Sequence, residues 1–96
     1  MKFAVFGGDM RQVKLAELLI ADGHAVNAFA LDKIRLADGI EQPPTAKAAA
    51  NGAEIIVLPL PLQSREGMLS SPLSAGLHTT REILSAVSPE QTVLLG

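Results

Sequence analysis

The stretch that most constrains this chain is FAVFGGDMRQVKLAELLI, residues 3–20. A short apolar run meets two glycines and passes directly into a segment with helical spacing. Val13, Ala16, Leu19 and Ile20 recur on one face of that segment, while Lys14, Glu17 and Asp22 mark the wet side. Gly23 suits the C-terminal cap. A buried strand feeding a helix through a glycine turn is the first half of a crossover unit, and it predicts a parallel sheet.

The rest of the chain repeats the alternation. Ala25–Leu31 reads as a second strand ending at Asp32. Pro43-Pro44 opens a short helix through Ala50, closed by Asn51-Gly52. Ile55–Leu58 reads as a third strand, the most apolar and therefore central; Thr79–Val87 reads as a helix and Thr92–Leu95 as a fourth strand. The expected fold is α/β: a three-layer, Rossmann- or flavodoxin-like parallel sheet of four strands in the order 2-1-3-4, with helices on both faces. Only three aromatic residues, all phenylalanine, occur in a chain that is 48% apolar. The core must then be built from Ala, Leu, Val and Ile, as in sheets covered by small-residue helices.

Charge and composition remove several functions. A formal net charge of −2 offers no footprint for nucleic acid or an anionic membrane surface. The absence of cysteine excludes disulfides and thiolate metal sites and fits a cytoplasmic location. The apolar run at the start is far too short for a signal peptide or a membrane span. Ninety-six residues make a single α/β domain. Because the chain stops at Gly96 directly after an apolar strand, it is expected to be a fragment of a longer two-domain protein.

Ligands of such sheets bind beyond the carboxyl ends of the strands. These ends are Gly7-Gly8-Asp9, Asp32, the segment LPLPLQSREG (58–67) and Gly96. With Gly7 as the first glycine of G-x-G-x-x-G, Asp9 and Gln12 occupy the other two positions, so both close-approach glycines are missing. Asp9 is better read as the helix N-cap, with Gln12 completing a capping-box-like pair. A carboxylate there takes the place a phosphate would use, so no cofactor is expected in this chain. Asp32 reads as a strand-end turn residue rather than a ribose ligand.

Arg11 in the first helical turn is either a surface partner of Asp9 or a guanidinium placed to hold a carboxylate. The segment 58–80 lacks helical periodicity and is long enough to be functional or to carry a hairpin. Its expected features are a Glu66-Gly67 turn and a pairing of Met68-Leu69 with Leu73, lying away from the sheet. Candidate substrate contacts are Arg11, Gly8, Gln63, Ser64 and Arg65. His78, beside the capping box of Thr79 and Glu82, reads as structural or surface. Ser64 and Ser70 have no histidine–carboxylate partner in the sequence pattern, so no nucleophilic triad is expected.

The segments FAVFGGDMRQVKLAELLIADGHAV, AEIIVLPLP…EG and SPEQTVLLG resemble the N-terminal domain of the dipicolinate synthase A-subunit. The resemblance covers most of the chain, and its distinctive part is the G-G-D-x-R-Q turn with the proline-terminated third strand. It implies an oxidoreductase that converts dihydrodipicolinate to dipicolinate during sporulation, together with the flavoprotein-like B-subunit of dipicolinate synthase. It also implies that NAD(P) binds in a C-terminal Rossmann domain beyond Gly96, that this chain contributes the substrate side, and that the substrate is a small dicarboxylate. A homo-oligomer is compatible with this layout. The alternative is a non-catalytic flavodoxin- or receiver-like module. A receiver would want paired acids after the first strand and a late lysine, whereas Asp9 is single and no lysine follows Lys47.

Overall fold

The computed structural model describes residues 1–65 and 67–95, with the side chain of Arg65 left out of the description. In chain order the elements are β1 (Lys2–Phe6), α1 (Met10–Ala21), β2 (Ala25–Phe29), β3 (Ile40–Glu41), α2 (Ala46–Ala50) and β4 (Ile55–Leu58). The remainder are β5 (Gln63–Arg65), β6 (Met68–Leu69), α3 (Thr80–Ser85) and β7 (Thr92–Leu95). β3, β2, β1, β4 and β7 form one sheet in that order, all parallel. The four expected strands hold their 2-1-3-4 order, and the two-residue β3 adds a fifth at the β2 edge. The midpoint of the sheet is β1 rather than β4, and Ala4, Val5 and Phe6 are fully enclosed.

Strand alternation divides the core into two layers. Ala4, Phe6, Phe29, Ile56 and Leu58 face α2 and α3 together with Ala46, Ala49, Ala50 and Ile83. Phe3, Val5, Val26, Ala28 and Val57 face α1, meeting Val13 and Ala16. Small residues let α2 approach closely enough for buried Asn27 to donate from Nδ2 to the Ala49 carbonyl at 3.0 Å. This three-layer arrangement is the expected fold class.

Local differences from expectation have local causes. β2 ends at Phe29, two residues early, because Ala30 adopts φ 64° and turns the chain out of the extended region. α2 begins at Ala46 because the Thr45 hydroxyl accepts from Ala48 N and caps it there, leaving Pro43-Pro44 ahead of the helix. α3 begins after its cap, Thr79, whose hydroxyl accepts from Glu82 N at 3.1 Å. Asn51 ends α2, as its position before glycine suggests.

The hairpin is the largest correction. Its strands are β5 and β6, so Met68-Leu69 pairs with Gln63 and Arg65 rather than with Leu73. Nor does it lie away from the sheet. Leu69 is buried in the core layer that faces α2 and α3, and Leu73 O accepts from Lys33 N at 2.8 Å beyond β2. Residues 69–75 thus form a strap across the carboxyl ends of β1 and β2. β7 pairs with β4 along its whole length, yet Val93, Leu94 and Leu95 remain 42%, 48% and 57% exposed at the sheet edge.

Candidate functional site

The turn between β1 and α1 is the natural ligand end of this sheet. Its backbone donors can be followed one by one. Gly7 N donates to Phe29 O at 2.8 Å, and Gly8 N to Ser70 O at 2.9 Å. Arg11 N donates to Asp9 Oδ1 at 2.9 Å, while Gln12 N and Val13 N donate to Asp9 O. A phosphate-binding turn keeps N–H groups of the glycine loop and the first helical turn free for the anion; here those of Gly8 and Arg11 are already used. The strap also occupies the space above. A Cβ on Gly7 would lie 2.8 Å from Leu69 Cδ2, and one on Gly8 would lie 2.5 Å from Gln12 Cγ. Both glycines have positive φ, 61° and 98°, so here they serve the chain's own close packing.

Asp9 is the N-cap of α1, as its position predicts. The reciprocal half of the capping box is absent. Gln12 is buried and points its Nε2 toward Phe6 O at 3.5 Å, because the space over Gly8 accepts its stem. Arg11 takes the other side of the Asp9 carboxylate, with Nε to Oδ1 at 3.1 Å and Nη2 to Oδ2 at 3.2 Å. The same Nη2 donates to Leu60 O at 3.3 Å, which ties α1 to the exit of β4. The Arg11 hydrogen bonds, from side chain and then backbone, hold the Asp9 carboxyl below its ordinary 3.8. In return Asp9 raises the Arg11 guanidinium. The pair is solvent-facing, with side-chain exposures of 73% and 46%.

Arg11, Gly8 and Asp9 line a crevice of about 80 Å³ walled by Pro59, Pro61 and Ser70. That is below the roughly 300 Å³ at which small-molecule pockets begin. Of the residues expected at the site, the fold brings Gly8 and Arg11 together. Gln63 stands elsewhere: its Oε1 accepts from the Thr80 hydroxyl at 3.1 Å, which directs it toward α3. Ser64 is exposed on β5 and does not line the crevice. The Arg65 side chain lies outside the described residues. Ser70 and the Leu60 carbonyl were not foreseen, because only the folded strap and the proline-bounded exit of β4 bring them here.

Asp32 behaves as the turn residue expected of it, accepting from Ala75 N at 3.1 Å. His78 is held by Glu82, with Nδ1 3.0 Å from Oε2. Glu82 therefore spends its carboxylate on His78 rather than on the Thr79 backbone. Among the described residues no group of three or more His, Cys, Asp or Glu could hold a metal ion. None of their helices is long and apolar enough to cross a membrane.

A parallel three-layer α/β domain with an acid-capped, strap-covered first turn defines a Rossmann-like unit whose usual phosphate site is closed. More narrowly, the chain belongs to the family of dipicolinate synthase A-subunit N-terminal domains, whose model matches residues 2–96. No curated protein and no solved structure matches the chain.

Proposed function

We propose that this chain is the substrate-side domain of an NAD(P)-dependent oxidoreductase that converts dihydrodipicolinate to dipicolinate during sporulation in the cytoplasm. The observation that carries the reading is the closed turn in a member of this family: Gly8 N is bonded to Ser70 O, and Asp9 caps the helix. A dinucleotide then has to bind on another domain, a C-terminal Rossmann domain of the same polypeptide. The hydride acceptor comes from there, and the B-subunit of dipicolinate synthase is the partner.

In this reading Arg11 holds one carboxylate of the substrate. The Asp9 pair orients the guanidinium through Nε and Nη2, and the exposed side chain lets an anion approach Nη1 without breaking the pair. The far end of the substrate falls to Ser64 and Arg65 on the adjoining hairpin, since the space over Gly8 is taken by Gln12 and Gln63 is turned to Thr80. The small volume of the crevice fits a half-site that a second domain completes.

The test is steady-state kinetics of the longer, two-domain protein with dihydrodipicolinate. Arg11→Lys keeps the charge but loses the planar fork, so it should lower kcat/KM by about tenfold or more without unfolding the domain. If Arg11→Ala leaves kcat/KM within about twofold, Arg11 is only the surface partner of Asp9 and the substrate-side assignment fails.

A further inference from the structure

A second crevice opens on the other face of the sheet, beyond the carboxyl ends of β2 and β3. It has a volume of about 340 Å³, within the range of small-molecule pockets. It is lined by Phe29, Pro43 and Pro44; its polar groups are Asp32, Gln42 and His78. Arg11 is absent from its lining, and the strap 69–75 lies between the two crevices.

The chemistry of the polar groups is specific. Glu82, anchored in the first turn of α3, accepts from His78 Nδ1 at 3.0 Å. A carboxylate can only accept, so in the neutral imidazole the proton sits on Nδ1 and Nε2 carries the lone pair. The imidazole is packed against Phe29, with ring centroids 4.7 Å apart and planes inclined by 57°. Asp32 is a second acceptor, with Oδ1 already oriented by Ala75 N. The Gln42 amide can donate or accept. Among the described residues no Lys or Arg lines the crevice, so none of them favours an anion there.

Gly76 completes the opening. A Cβ at this position would lie 3.7 Å from His78 Nε2 and meet nothing else. The glycine therefore keeps a methyl out of contact with Nε2, and its φ lies outside the positive range that would itself require glycine. The end of β2 is also set by a residue out of its usual conformation: Ala30 at φ 64°, its carbonyl accepting from the Ser71 hydroxyl.

We propose that this crevice is a second small-molecule site, for a neutral amino-substituted nitrogen heterocycle. The ring lies against Pro43-Pro44, beside Phe29. Its amino group donates to His78 Nε2 and Asp32, and Gln42 meets a ring nitrogen. The dicarboxylate of the proposed reaction is the wrong charge for this place, so the site stands or falls independently of Arg11.

The test is a titration of the 96-residue chain with 2-aminopyrimidine, followed by NMR at the His78 and Phe29 rings and the Gly76 amide. Saturable shifts at these signals are expected, with none from pyridine-2,6-dicarboxylate. Gly76→Ala should weaken binding by about tenfold or more by setting a methyl against Nε2, while leaving the remaining amide spectrum unchanged. His78→Phe keeps the packing against Phe29 and should lose binding likewise. The proposal is overturned by the absence of saturable shifts up to about 10 mM, by equal shifts from the dicarboxylate, or by undiminished binding in both variants.

Discussion

Asp9 does two things with one carboxylate: it caps α1 through Arg11 N and holds the Arg11 guanidinium. Truncation removes both, so Asp9→Ala should lower the melting temperature by roughly 5 °C. Asp9→Asn and Asp9→Ser keep a capping oxygen and should cost much less. Thermal melts of the three variants check this, and equal losses from all three would mean that the ion pair rather than the cap carries the effect. The pH dependence follows from the depressed Asp9 carboxyl. A group whose folded value lies below its unfolded one stabilises the protein above the unfolded value and loses that contribution as pH falls through the folded value. The wild-type advantage over Asp9→Asn should thus be complete above the ordinary carboxyl value of 3.8 and shrink as pH drops below it. Melts at stepwise lower pH measure this; an advantage that grows on acidification contradicts it.

At the scale of elements, the contact that most alters the character of this sheet is the strap over the first turn. Gly7→Ala meets Leu69 at 2.8 Å and forces a side chain into positive φ, costing about 1–2 kcal/mol from the backbone alone. Leu69→Ala leaves a cavity in the core layer facing α2 and α3, at about 2–5 kcal/mol. The two changes should be coupled, since removing Leu69 makes room for the new methyl. A double-mutant cycle should give a favourable interaction of at least about 0.5 kcal/mol, the low end for touching residues. Additivity within about 0.3 kcal/mol would mean that Leu69 does not press on the turn.

The same elements mark how far the sequence can be read. β1, α1, β2, β4 and β7 were legible because their signals are local: apolar runs, helical spacing and glycine at the caps. The hairpin pairing was not, because Met68-Leu69 could meet either Gln63–Arg65 or Leu73, and only burial of Leu69 over Gly7 decides between them. The N-cap role of Asp9 was legible, whereas the fate of Gln12 was not, since it depends on Pro59 and Gly8 closing around its stem. Of the candidate site, Gly8 and Arg11 were placed by chain position alone. Ser70 and the opening at Gly76 arise from long-range closure of the strap, which no local pattern encodes.

For the molecule as a whole, the central claim is that this sheet keeps the outline of a nucleotide-binding unit while its own chain fills the phosphate site. The Asp9 carboxylate, the Ser70 carbonyl and the Gln12 side chain occupy three directions from which a pyrophosphate would approach. A pyrophosphate entering there would meet the Asp9 carboxylate and the Ser70 carbonyl in place of free backbone N–H groups, with Arg11 as the cation at the rim. Calorimetric titration of the 96-residue chain with NAD(H) and NADP(H) tests this most directly. The account predicts no saturable heat at nucleotide concentrations up to about 100 μM, whereas a dissociation constant at or below about 10 μM, near −7 kcal/mol, would contradict it.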